Sequence, residues 1–241
     1  MDIQSILAKY PKSRPPLPVA QKRIYEEEYL ANREGKGLMS ALSQKLERWM
    51  HCQVKRHTMG TRLLEIGAGT LNHLQYLDIG EIDYVDIIEP QEFLYKDSPY
   101  RKRIRNTYKD IYEVTDTYDT VYSIAALEHI TDLPKAIAKA GILLKENGVF
   151  LSAIPAEGGF LWGLSWRLST GLAYKLRTGF SYTTLMRHEH VNNMDEIYAV
   201  IRYFFKESAV TYFPVYGKHL SLYAVICASN PDLEKCKKYL S

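Results

Sequence analysis

Residues 62–71, Arg-Leu-Leu-Glu-Ile-Gly-Ala-Gly-Thr-Leu, constrain the fold more than any other stretch of the chain. Leu63-Leu64-Glu65-Ile66 reads as a short buried strand. It runs into Gly67-Ala68-Gly69, where two glycines let the chain turn tightly beside a ligand. A short helix is predicted over 70–77. Further strands are predicted at 84–88, within 100–108, at 118–124 and at 148–154, with a helix over 133–144. Strands that alternate with helices imply right-handed crossovers and a parallel sheet, so the fold class is α/β. Asn192 or Asn193 can cap a helix over 194–202. Two last strands follow at 204–213 and 220–229.

The flanks are of another kind. Residues 11–18, PKSRPPLP, form a proline-rich arm without helix potential. Ile24, Tyr25, Tyr29 and Leu30 give helical spacing over 20–34, which Gly35 and Gly37 stop. A second helix over 38–55 carries Leu38, Leu42, Leu46 and Trp49/Met50. Residues 1–58 are thus expected to be an arm and a helical cap, and 59–230 the core. Within that core, 156–191 is an irregular insertion rich in Trp, Gly, Ser and Tyr; 231–241 is a tail. A length of 241 residues fits one elaborated domain at about 150 residues each.

Composition excludes several classes. Apolar residues make up 46% and charged residues 24%, which rules out disorder as the main state. The net charge, 31 − 28 = +3, falls short of a dedicated nucleic-acid binder. No Asn/Asp-Pro-Pro-Tyr/Phe stretch occurs, and the basic run at 101–105 is short. Three cysteines, Cys52, Cys227 and Cys236, form no CxxC and no zinc spacing, which suits a reducing cytoplasm. The first residues lack a signal-peptide core, and no run of about 18 apolar residues occurs. The nearest, 160–174, is interrupted by Arg167.

The glycine turn fails the dinucleotide fingerprint G-x-G-x-x-G at Asn72, which argues against a nicotinamide-dependent oxidoreductase. No Lys-Ser/Thr follows, so it is not a phosphate-cradling P-loop. Acids end both first strands. Glu65 closes the first, where it can serve a cation. Glu89 closes the second, 89 − 67 = 22 residues after the first glycine. That is near the ~20-residue offset of a ribose-binding carboxylate.

LLEIGAGT, the acid at the second strand end, and YDTVYSIAALEHITDLPKAIAKAGILLKENGVFLSAIP together resemble the class I S-adenosylmethionine-dependent methyltransferases, in a type 11-like branch. The resemblance covers about residues 60–155. It departs at Leu71, where a small residue is common, and at the Leu144–Gly148 turn, where Asn147-Gly148 turns equally well. It implies a Rossmann-like, mostly parallel seven-stranded sheet flanked by helices, with an antiparallel last strand. By position, it implies that Gly67, Ala68 and Gly69 approach the methionine and ribose parts of S-adenosyl-L-methionine. Glu65 would hold the methionine amino end, and Glu89 both ribose hydroxyls. Asp110 would contact the adenine amino group, with Ser123 and Ala125 beside the sulfonium.

Methyl transfer from a sulfonium is an in-line displacement, so alignment supplies much of the catalysis. A hydroxyl acceptor would profit from a base. The candidates are His129 in LEHI, then His188 and His190 in RHEH. His188-x-His190 lacks a recognisable third ligand, so no metal is expected. Tyr29 and Arg33 share a helix face and could roof the site or form a packing seam. Trp162 and Trp166 could stack on an acceptor, pack in a homodimer or rest on a membrane. The expected partner is a small-molecule acceptor: a sugar, a lipid-linked sugar or a polyphenol. A non-catalytic nucleoside-binding domain is the rival from another class.

Overall fold

Apolar runs without polar alternation must be covered on both faces. The computed structural model has that form. It describes residues 2–25 and 41–241, without the side chains of 41–45 and 79. Seven strands form one sheet in the order β3-β2-β1-β4-β5-β7-β6. These are β1 Arg62–Ile66, β2 Tyr84–Ile88, β3 Ile104–Tyr108, β4 Tyr118–Ile124, β5 Leu144–Pro155, β6 Phe205–Pro214 and β7 Ser221–Pro231. The first five pair in parallel, whereas β7 runs antiparallel to both β5 and β6. The expected sheet and its antiparallel seventh strand are therefore present.

Strand order reverses between β1 and β4, which places a crevice at their carboxyl ends. Registers bring Ile66 beside both Ile88 and Ser123, so three strand ends meet there. Alternation along β1 feeds two cores. Leu64 and Ile66 pack with Val121, Ile137, Ile201 and Phe204 on one face. Leu63 packs with Met50, Val54, Leu74 and Leu151 on the other. The second core is covered by the helix Ala41–His57.

The helix Met194–Phe204 starts with a reciprocal capping box, Asn193 to Glu196 and back. Of the two predicted caps it is Asn193 that serves. Asn192 is buried, and its Nδ2 donates to the Leu127 and Ile130 carbonyls at 2.8 and 2.7 Å, pinning the segment after β4.

Two local expectations fail. The helix over 70–77 shrinks to a 3-10 turn, Asn72–Gln75. Leu71 adopts a left-handed φ of 67° while fully buried, so its burial outweighs the strain and stops a regular helix from starting at Thr70. The insertion 156–191 is largely helical: Phe160–Trp166, a π turn over Arg167–Gly171, Leu172–Thr178 and Tyr182–Glu189. Residues 231–241 carry the helix Leu233–Leu240, which packs on Leu133–Leu143 with Cys236 buried. Among the described residues no helix is long and apolar enough to cross a membrane.

Buried titratable groups set a pH profile for stability. Burial lowers His51 to about 4 and His73 to about 3, so the unfolded chain binds more protons than the fold as pH drops below about 6.5. Burial raises Glu65 to about 8, so between about 4.5 and 8 the fold binds one proton more than the unfolded chain. From pH 6.5 to 4.5 the two histidines outweigh the glutamate, and stability should fall on acidification. Above pH 6.5 Glu65 and His190, whose pKa is also raised, both keep the fold more protonated than the unfolded chain, so stability should fall as pH rises. Denaturant titrations from pH 4.5 to 8 should therefore show a maximum near 6.5; a flat profile would contradict this balance.

Candidate functional site

A cavity of about 900 Å³ opens at the carboxyl ends of β1, β2 and β4. Gly67, Glu89, Asp110, Ala125, His129 and Glu189 all line it. Six positions separated by up to 122 residues thus share one wall, because parallel strands deliver their ends to the same side.

The glycine turn is held from two sides. Gly67 has φ of 73°, and a Cβ there would lie 2.4 Å from the Ala126 Cβ, so only glycine fits. Its N–H donates to the Ile88 carbonyl at 2.8 Å. Gly69 also has positive φ, but open space lies where its Cβ would be. Glu89 is buried at 6% exposure. Its Oε2 accepts from the Gly69 N–H at 2.9 Å and its Oε1 from the Gln91 N–H at 3.1 Å. The carboxylate therefore ties the end of β2 to the turn while each oxygen keeps lone-pair capacity for a ligand.

Other expected positions stand further back. Glu65 is buried behind the turn, where the Tyr122 hydroxyl donates to it at 3.2 Å. Burial pushes its carboxyl up to about 8, the Tyr122 bond opposes this, and the nearby Glu89 charge adds to it. Ala68 packs into the second core. Ser123 is fully buried at the end of β4, and its Oγ has no hydrogen-bond partner. Ala125, beyond it, has a left-handed φ of 50° and faces the cavity. Asp110 fills two places at once: it lines the cavity and caps a 3-10 turn through the Tyr112 N–H at 3.0 Å.

The three histidines part company. The Nδ1 of His129 lies 2.8 Å from the Glu189 carbonyl oxygen, which can only accept. Nδ1 therefore carries the proton, and in the neutral ring Nε2 keeps its lone pair. His190 stands edge-on to His129, with ring centroids 4.8 Å apart, and its Nδ1 meets the Glu157 carboxylate at 2.7 Å. Burial works against the charged form of His190, but the Glu157 hydrogen bond and the charges of Glu128, Glu157 and Glu189 outweigh it and raise its pKa. His188 turns away: its Nδ1 meets the Pro15 carbonyl at 2.7 Å and its ring lies against Tyr25. Trp162 stacks obliquely 6.1 Å from His190, behind the cavity wall. Tyr29 and Arg33 lie outside the described residues.

The His188-x-His190 pair does not share a site, yet His190 finds other companions. Glu128, His129 and His190 each offer one ligand atom within 4.8 Å of the others. Glu128 is buried, and its Oε2 has no hydrogen-bond partner.

Sequence reasoning missed Arg14, Glu189, Phe93 and Tyr112, all of which line the cavity. Arg14 reaches in from the proline-rich arm: it donates to the His129 carbonyl at 3.2 Å and lies 3.7 Å from the Glu189 carboxylate. Tyr25 also hydrogen-bonds Glu189. No spacing in the sequence links Arg14 to Glu189. Glu189 itself stood between the two histidines of RHEH, where only the histidines drew notice.

A family model described as a methyltransferase domain matches residues 29–199. An O-methyltransferase family protein from Burkholderia thailandensis superimposes with a TM-score of 0.58 at 14% identity, over 95% of this chain and 68% of that one. A S-adenosylmethionine-dependent methyltransferase from Thermotoga maritima gives 0.53 at 20% identity, over 77% and 94%. The N-methyltransferase NodS from Bradyrhizobium japonicum, in complex with S-adenosyl-L-homocysteine, gives 0.53 at 13% identity, over 80% and 89%. At these identities the solved structures bear on the fold. Comparison with curated proteins gives no match.

Proposed function

The chain belongs to the S-adenosylmethionine-dependent methyltransferases, and on that premise we propose that it methylates a hydroxyl of a small-molecule acceptor: a sugar, a lipid-linked sugar or a polyphenol. One observation carries this reading. His129 lines the cavity together with Gly67, Glu89 and Ala125, and with its Nδ1 committed to the Glu189 carbonyl its neutral ring keeps Nε2, with its lone pair, as the basic atom. An acceptor hydroxyl needs such a lone pair to take its proton.

The residues fit the cofactor. Open space beside Gly69, spare acceptor capacity on Glu89 and the unpartnered Ser123 Oγ all suit a polar nucleoside ligand. In this reading Glu89 accepts from both ribose hydroxyls, and Asp110 accepts from the adenine amino group. Gly67 and Gly69, with Ala68 between them, bring backbone against the methionine and ribose parts. Glu65, from behind the turn, serves the methionine ammonium, which would favour its charged form. Ser123 and Ala125 border the reacting centre. When bound, the cofactor supplies an electrophilic methyl on a sulfonium.

His129 then takes the acceptor proton on Nε2 while its Nδ1–H stays on the Glu189 carbonyl, so the ring does not swing during transfer. Tyr25 and Arg14 meet the Glu189 carboxylate and so anchor the residue that carries this carbonyl. The insertion 156–191, with Trp162, forms the acceptor side, and Tyr29 and Arg33 are assigned to the lid.

The test is a screen with methyl-labelled cofactor against hydroxyl acceptors of these three classes, read as label in the product and S-adenosylhomocysteine released. Activity should survive chelator, because displacement at a sulfonium needs no Lewis acid. Loss in chelator, restored by a divalent ion, would instead make Glu128, His129 and His190 a metal centre and remove His129 as the base.

A further inference from the structure

Phe160, Leu164, Leu168, Leu172 and Leu176 recur every fourth residue through the insertion, and all five are exposed, at 68, 41, 66, 48 and 79%. Single exposed leucines are ordinary, but a continuous apolar row on a surface marks a contact. In a regular helix of 3.6 residues per turn, a step of four overshoots by about 40° and the row would wind around the helix. The π turn over Arg167–Gly171 takes more residues per turn and winds the row back. Tyr174 is buried and accepts from the Gln21 side chain, and the helix Phe160–Trp166 packs on β7, so the opposite side faces the protein body.

The row continues onto a second element. The turn Lys218–Leu220 packs against the helix Phe160–Trp166, and beside it Val215, Tyr216 and Leu220 are exposed at 51, 84 and 56%. Charge selects the partner. Residues 158–188 contain Arg167, Lys175, Arg177 and Arg187 and no aspartate or glutamate. All four cations are exposed. A seam between protein helices would intersperse both signs along its edges, whereas this segment adds only cations to its leucine, phenylalanine and tryptophan, and among the described residues the acid at the neighbouring turn, Asp195, is held by Lys218; that excess of cations matches an anionic lipid surface.

We infer that residues 160–178 and 215–220 seat the protein on an anionic bilayer surface, with the leucine row at the boundary of headgroups and acyl chains. The insertion leaves β5 at its carboxyl end, the end where the cavity opens. Seating by this face would set the bilayer at the carboxyl end of the sheet. The surface stands apart from the methyl-transfer reading, because its test is binding alone.

Flotation of the full chain with vesicles of phosphatidylcholine, with and without phosphatidylglycerol, tests it. The protein should float with the anionic vesicles, little with the neutral ones, and less as salt rises. Leu168→Asp with Leu176→Asp should cut partitioning by tenfold or more; both sites are exposed, so the fold should survive, checked by an unchanged melting temperature. Lys175→Gln with Arg177→Gln should weaken binding by about fivefold per cation and flatten its salt dependence. Absence of flotation with anionic vesicles would overturn the inference. So would equal flotation of the double aspartate variant. A dimer in light scattering that the same aspartates dissociate would make the row a seam between copies and overturn it as well.

Discussion

Replacing His129 with alanine should lower kcat by about 100-fold or more at saturating cofactor, with cofactor affinity nearly unchanged. The expectation follows from a fixed tautomer. The Glu189 carbonyl holds the Nδ1 proton at 2.8 Å, so Nε2 is the only free basic atom of the ring. His129→Asn separates chemistry from scaffolding: its amide N–H can still donate to the Glu189 carbonyl, so stability should recover while kcat stays as low as in the alanine variant. If cofactor affinity falls instead, and turnover at saturation is normal, His129 belongs to the cofactor shell. His190, edge-on to His129 with ring centroids 4.8 Å apart, would then be the next candidate, ahead of His188, whose Nδ1 is engaged by Pro15.

Glu89→Ala should weaken binding of S-adenosylhomocysteine by roughly 1–3 kcal/mol, or about 5- to 150-fold, without abolishing the fold. Two losses combine. The ribose hydroxyls lose their acceptor, and the Gly69 and Gln91 N–H groups lose theirs, so the turn is no longer tied to β2. Glu89→Gln keeps one carbonyl oxygen, with lone pairs for two of these four donors, and should fall between parent and alanine variant. Calorimetric titration of the three proteins gives the ranking. Equal affinity in parent and alanine variant would remove Glu89 from the site.

The parts of this site that were legible in the sequence are those built locally. A buried strand, a two-glycine turn and an acid 22 residues after the first glycine reveal β1, the turn and the end of β2, because each depends on neighbours in the chain. What stayed hidden depends on distant partners. The Arg14 to His129 contact spans 115 residues and the His129 to Glu189 contact 60. No periodicity carries such pairings. The insertion hid its helices differently. Gly163, Gly171 and Gly179 look like breakers, yet the first two lie within helical turns, covered by Arg167 and Trp166 of the same segment, and only Gly179, at φ of 76°, ends a helix. The π turn further shifts the apolar row off the regular helical period. Leu71 departs from the small residue common at its position, but its left-handed backbone, which shortens the helix after the turn, is a tertiary effect of its burial.

The most direct measurement is calorimetric binding of S-adenosylhomocysteine, with NAD in parallel. The account predicts one molecule of S-adenosylhomocysteine bound per chain, with stabilisation of about 2.7 kcal/mol at a hundredfold excess over Kd, and no comparable response to NAD. Tight binding of NAD with no binding of S-adenosylhomocysteine would contradict it.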